Sequence, residues 1–280
     1  MQLINTKKEL RSLLSSLDKI KVLGLVPTMG ALHLGHISLV ERSLGENDIT
    51  VVSIFVNPTQ FNNREDLANY PKTLDRDISL LRSVSEDIII FAPSPQEMYT
   101  GDITSKSYNF EGLDTVMEGE FREGHFNGVG TIIEKLLTLV APTRAYFGEK
   151  DFQQLQIIRK LVQTLAIPVR IIGCPIVREP NGLAMSSRNE RLPKALRQEA
   201  AFIYSTLQGA KEKFGTKSAD FVMDWVRDQF GSKQNFKLEY IKIADEKNLR
   251  PIITKEKDTD YRAFIAVYIG DVRLIDNIAL

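Results

Sequence analysis

The stretch Leu23-Gly24-Leu25-Val26-Pro27-Thr28-Met29-Gly30-Ala31-Leu32-His33-Leu34-Gly35-His36-Ile37-Ser38-Leu39-Val40 decides how this chain folds. Residues 22–26 form an apolar run with the length and composition of a buried parallel strand. The run is expected to break at Pro27. Apolar residues resume at Ile37, Leu39 and Val40 as a helix. A strand therefore enters a turn, and the turn enters a helix N-terminus. Gly30 and Gly35 let backbone approach closely there. His33 and His36 stand three residues apart, on one helical face. The first N–H groups of a helix lack intrahelical partners and sit at the positive end of its dipole, which suits phosphate. Two imidazoles beside them can donate to the same oxygens. The plain alternative is a tight strand–helix connection with two surface histidines. The chain has 3 histidines in all, and two of them meet at this turn, which favours a site.

Outward from this turn the pattern alternates. Upstream, Thr6 can cap a helix with Leu10, Leu13, Leu14 and Leu17 on its apolar side. Downstream, the helix ends near residues 45–48, a turn-rich cluster. Residues 49–56 are a second β-rich run, stopped by Asn57-Pro58-Thr59-Gln60-Phe61. Polar residues at the carboxyl end of a buried strand lie where open α/β sheets bind ligands. Asn57 and Gln60 are candidates on that ground, although either could simply hold the turn. Residues 62–71 read as irregular, 73–81 as helix, 87–91 as a third strand and 105–110 as a weak strand. Arg122 and His125 fall in a Gly-bearing loop before a helix over 129–139.

A strand over 143–147 then runs into Gly148-Glu149-Lys150-Asp151 and a helix over 152–165. This repeats the first arrangement of strand, Gly turn and polar residues at a helix start. Gln154 lies in that helix's first turn and faces the same crevice. The plain reading of Lys150 and Asp151 is an exposed charged turn. After a strand over 168–172 come a turn over 178–182 and Met185-Ser186-Ser187-Arg188-Asn189. A guanidinium fork beside two hydroxyls suits phosphate.

Alternating strands and helices argue for an α/β fold with a doubly wound, Rossmann-like parallel sheet. The composition changes after Arg191. Helices over 194–214 and 219–230 precede strands over 237–244, 263–269 and 273–276. The expected domains are 1–176, the Rossmann-like sheet domain, and 177–280, a smaller α+β domain able to act as a lid.

The bulk properties narrow the function. At 280 residues with 43% hydrophobic content, the chain suits one large domain or two modest ones. Lys and Arg number 36 against 36 Asp and Glu, so no net field points to nucleic acid or membrane. One cysteine, Cys174 in an apolar context, allows no internal disulfide and reads as a small core residue. No apolar run reaches membrane-spanning length, and the start lacks a signal-peptide pattern, so a cytoplasmic protein is expected.

His-x-Gly-His after a first strand resembles the signature of the nucleotidyltransferase superfamily. The flanking residues 27–32 narrow the resemblance to the pantothenate synthetase (pantoate–β-alanine ligase) family. Phe55–Phe61, Tyr70-Pro71, Gly124–Val129, Phe147–Leu155 and Met185–Asn189 follow in the family's order. The last resembles the superfamily's Ser-rich pyrophosphate loop. Residues 22–191 carry this likeness; the C-terminal part matches in size and general character.

The resemblance implies ATP as substrate with Mg²⁺, joining pantoate to β-alanine through pantoyl adenylate. It implies that Met29, Gly30, Ala31, Leu32, His33, Leu34, Gly35 and His36 line the ATP site, with His36 as proton donor. It places Gly148, Glu149, Lys150 and Asp151 on ATP, Val177 on adenine, and Met185, Ser186, Ser187 and Arg188 on the β- and γ-phosphates. His33, His36, Lys150 and Arg188 are the expected catalytic groups. Gln60 and Gln154, with Asn57, are the expected pantoate-side residues, Gln60 also near β-alanine. It assigns no metal ligands and implies a homodimer. One departure stands out: the family pattern Arg-Pro-Gly-His-Phe-Arg-Gly-Val carries Glu123 and Asn127 here.

Rival readings are weaker. An adenylyltransferase for a second phosphorylated substrate would call for more Arg and Lys and would not need Asn57, Gln60 and Gln154. A non-catalytic ATP binder should have lost a histidine, Lys150 or Arg188. An RNA-binding relative should show a basic, aromatic-laced patch.

Overall fold

Strand β2 (Leu23–Thr28) lies inside a six-stranded sheet. The computed structural model describes residues 1–17, 20–62, 64–252 and 254–280. The other strands of the sheet are β1 (Gln2–Ile4), β3 (Ile49–Ile54), β4 (Ile88–Phe91), β5 (Arg144–Gly148) and β6 (Arg170–Cys174). Their order is β1-β4-β3-β2-β5-β6, and every pairing is parallel. The order reverses between β2 and β5, as in doubly wound sheets.

Contrary to expectation, β2 runs through Pro27. Its pairing with β5 is confined to Gly24↔Arg144 and Leu25↔Ala145, whereas its pairing with β3 continues to Thr28↔Ile54. By Pro27 the strand is laddered on one side only, where a missing donor is tolerated. Thr28 Oγ1 donates to Ser53 O at 2.8 Å across that remaining side. The parting of β2 from β5 at their carboxyl ends is where such sheets open a ligand crevice.

The chain divides into two compact units: Met1–Glu149 with Gln154–Pro175, and Lys150–Gln153 with Ile176–Leu280. In the first, Val26, Val52, Ile90 and Tyr146 belong to a buried cluster beside helix Leu34–Glu46. In the second, β7 (Phe236–Asp245), β8 (Tyr261–Ile269) and β9 (Val272–Ala279) form an antiparallel sheet in that order. Helices Ala201–Phe214 and Ala219–Gly231 contribute Leu207, Val222 and Val226 to a core shared with Ile265 and Val267.

Four local expectations are corrected. Residues 105–110 are not a strand. Their backbone is held by side chains of helix His125–Val140: Lys106 N–H donates to Thr131 Oγ1 at 2.8 Å and Tyr108 N–H to Asn127 Oδ1 at 3.1 Å. That helix begins at His125, so the third histidine is helical rather than in a loop. The 62–71 stretch contains a short helix, Arg64–Ala68; Asn63 lies outside the described residues. The expected 194–214 helix is two, Lys194–Glu199 and Ala201–Phe214.

Candidate active site

The turn after β2 is pinned from within. Gly30 and Ala31 both adopt left-handed backbone, with φ of 80° and 49°. A Cβ on Gly30 would lie 3.0 Å from Asp77 Oδ2. That carboxylate, 1% exposed, accepts Ala31 N–H at 3.0 Å and Leu32 N–H at 2.8 Å. Thr73 Oγ1 donates to it as well, at 3.2 Å. Asp77 therefore moulds the segment that delivers the histidines, and the sequence reading missed it. Its only signal was an acidic residue in the first turn of helix Leu74–Arg82, which reads as ordinary helix chemistry.

His33 is the N-cap of helix Leu34–Glu46. Its Nδ1 accepts Gly35 N–H at 3.1 Å, while His36 Nδ1 accepts His33 N–H at 3.3 Å. The rings lie 4.1 Å apart between centroids. Each Nδ1 is an acceptor, so in the neutral imidazole the proton sits on Nε2. Most of the expected bare N–H groups are thus already engaged. Gly30 donates to Thr28 Oγ1, Ala31 and Leu32 to Asp77, His33 and Gly35 to the imidazoles, and His36 to His33 O. With Nδ1 accepting in both rings, each neutral imidazole carries its proton on Nε2.

The end of β3 joins this turn. Gln60 Nε2 lies 2.9 Å from Met29 Sδ, and Gln60 Oε1 accepts from Asn57 Nδ2 at 3.2 Å. Asn57 was expected to face substrate. Its amide is instead consumed internally: Nδ2 also donates to Gly128 O at 3.0 Å, and Oδ1 accepts from Tyr99 at 2.5 Å and Thr59 at 3.1 Å. Burial raises the Tyr99 phenol pKa, which keeps it a donor. His125 Nδ1 lies 2.8 Å from Gln60 O; a carbonyl only accepts, so this Nδ1 carries the proton. Gly128 completes the fit, because a Cβ there would meet Thr59 O at 2.3 Å. One departure from the family pattern has a local role, since Asn127 Oδ1 accepts the Tyr108 N–H; nothing in the structure explains glutamate at position 123.

Gly148 ends β5, and Glu149–Asp151 is a one-turn 3-10 helix leading into helix Phe152–Thr164, where Gln154 is half-buried. In the second unit, Lys150 Nζ lies 3.8 Å from Asp151 Oδ1. Val177 O accepts Met185 N–H at 3.0 Å, and Arg178 bridges Ala184, so residues 177–185 close as a small hairpin. Ser186 then caps the 3-10 turn Ser187–Arg191, its Oγ accepting Arg188 N–H at 3.2 Å. The hairpin is anchored by Arg178, bidentate on Asp276 at 2.7 and 3.0 Å. Cys174 is buried, and that burial pushes its thiol up, against the pull of Arg42; it has the environment of a core residue and not of a nucleophile. Among the described residues, no three His, Cys, Asp or Glu side chains are grouped to hold a metal ion.

A parallel sheet whose order reverses beside a paired-imidazole helix start defines an α/β enzyme of the nucleotide-handling class. Known proteins narrow this further. The Pantoate-beta-alanine ligase family profile matches residues 2–279. The pantothenate synthetase of Christiangramia forsetii is 55% identical over 277 residues, 98% of each chain. The crystal structure of pantothenate synthetase from Thermus thermophilus superposes with a TM-score of 0.90 at 38% identity, covering 99% of each chain. That of the Francisella tularensis pantoate–β-alanine ligase, complexed with β-γ ATP and β-alanine, gives 0.80 at 38% identity, covering 100% of this chain and 97% of that one. The chain belongs to the pantoate–β-alanine ligase family.

Proposed function

We propose that this protein condenses pantoate with β-alanine at the expense of ATP, releasing AMP and pyrophosphate. A pantoate carboxylate oxygen attacks the α-phosphorus and pyrophosphate leaves, giving pantoyl adenylate. The β-alanine amine then attacks the acyl carbon, AMP leaves with that oxygen, and the amine loses a proton. No enzyme nucleophile takes part, so the protein's contribution is positioning and charge stabilisation.

The observation that carries the reading is the reciprocal capping of His33 and His36. It fixes both tautomers and leaves Nε2–H as the donor of each ring. Charge accumulates on the phosphate oxygens as pyrophosphate departs, and these donors, His36 foremost, stabilise it. Gln60 and Gln154 offer neutral amides to the hydroxyls and carboxylate of pantoate. Asn57, saturated internally, acts by fixing Gln60. Gly148, Glu149, Lys150 and Asp151 bind ATP, Val177 meets adenine, and Met185, Ser186, Ser187 and Arg188 take the β- and γ-phosphates. Mg²⁺ enters with ATP, held mainly by the phosphates and water, as the ion commonly is. The same reading takes the protein to be a cytoplasmic homodimer. No helix among the described residues is long and apolar enough to cross a membrane.

The test is transfer of oxygen. With pantoate labelled by ¹⁸O in its carboxylate, one label should appear in AMP and one in pantothenate. Unlabelled AMP would overturn the adenylate route.

A further inference from the structure

We propose that Asn277, on β9, is a positioning residue for Lys150, a proposal that rests on the reading of Lys150 as a phosphate-binding group. Asn277 is 2% exposed. Its Nδ2 donates to the Lys150 backbone carbonyl at 2.9 Å, although 127 residues separate the two in sequence. Its Oδ1 accepts from Arg262 at 2.6 Å, and Arg262 in turn donates to Glu246 at 2.8 Å. Arg262 also lays its guanidinium 4.0 Å over the ring of Phe152. One chain of polar contacts therefore grips the Lys150 segment twice, at the carbonyl of residue 150 and at the ring of residue 152.

The strand that bears Asn277 is itself fixed beside this point. The neighbouring Asp276 is bidentate to Arg178, and Asn277 N–H donates to Asp276 Oδ1 at 2.8 Å. Successive strand residues point to opposite faces. Asp276 thus secures the hairpin carrying Val177 and Met185 while Asn277 secures Lys150. A buried polar side chain costs free energy unless fully bonded, and an apolar residue would fill a strand position more cheaply. The geometry gives Asn277 a reason to be polar: it sets the backbone from which the Lys150 ammonium extends.

The experiment is a double-mutant cycle on pantoate-dependent pyrophosphate exchange, read as kcat/KM for ATP. Asn277→Ala should lower that value about tenfold, the scale of one lost hydrogen bond, with KM for pantoate unmoved. In a Lys150→Ala background the same substitution should cost less than about twofold, because the group it positions is gone. Equal losses in both backgrounds, or no loss in either, would overturn the proposal, since a merely structural residue costs the same with or without Lys150. A Lys150→Ala variant with unchanged ATP kinetics would overturn the phosphate reading of Lys150, and this proposal with it. If Asn277→Ala does not fold, Asn277→Asp carries the cycle: it keeps its shape and the acceptor for Arg262 but loses the donor to Lys150.

Discussion

His33 and His36 cap one helix reciprocally, the His36 ring accepting the His33 N–H at 3.3 Å while the His33 ring accepts the Gly35 N–H at 3.1 Å. Ser or Thr with Glu usually makes such a box. Imidazoles do the same work, and each has a second ring nitrogen. The two roles are separable. His36→Ala removes cap and donor together and should slow adenylate formation by about two to four powers of ten. His36→Asn keeps an acceptor near the position of Nδ1 and should be equally slow, yet recover about 1 kcal/mol of the stability that His36→Ala loses. Rapid-quench rates and urea melts check both. A near-normal rate for either variant contradicts the role given to His36.

Asp77 holds the turn that delivers these rings. In Asp77→Asn one carboxylate oxygen becomes a donor facing a backbone N–H. The substitution should cost about 2–3 kcal/mol in denaturant unfolding and slow the ATP half-reaction at least tenfold through displacement of the turn. Unchanged stability would mean that the Gly30–Leu32 segment keeps its shape without the carboxylate.

The pair His33 and His36 was legible in the sequence because imidazoles at that spacing are rare and the strand before them is strongly apolar. Asp77 was not, because the turn residues it holds lie 45 and 46 residues away and locally it reads as an ordinary first-turn carboxylate. Residues 105–110 misled for a related reason. The stretch suits a strand, but side chains of helix His125–Val140 take the N–H groups of Lys106 and Tyr108 in place of a strand ladder. Strand β1 went unseen because three residues, Gln2–Ile4, are too short to show a period; pairing with β4 creates it. Asn57 looked like a ligand residue because a polar side chain at a strand end can serve ligand or turn, and sequence cannot show where its hydrogen bonds go.

Gln60 sits between Met29 and Asn57. Gln60→Ala should raise the KM for pantoate at least tenfold while moving that for ATP less than about twofold, as expected when a group held for one substrate is lost. Gly128→Ala, whose Cβ would strike Thr59 and Gln60 backbone atoms, should give the same imbalance without touching substrate. Equal effects on both substrates would remove Gln60 from the pantoate side. Steady-state titration of each substrate decides it.

Glu134 supplies a pH signature of the fold. Burial pushes its carboxyl up, but hydrogen bonds from Lys106 and Tyr108 outweigh this and hold it below the ordinary glutamate value. A carboxylate with a depressed folded pKa stabilises above its unfolded pKa, and that contribution is lost as pH falls through the folded value. Glu134→Gln should therefore be less stable than the parent at pH 7, by about 1 kcal/mol because the pair is partly solvated. The gap should close as pH drops below the glutamate range of about 4.3. Denaturant midpoints from pH 7 downward would show the convergence; a gap that widens in acid would contradict it.

In the proposed reaction ATP activates pantoate as an adenylate before β-alanine enters. The direct measurement is exchange of labelled pyrophosphate into ATP with pantoate and Mg²⁺ present and β-alanine absent. Exchange is expected, and it should disappear when pantoate is withheld. Protein that binds ATP yet shows no pantoate-dependent exchange would contradict it.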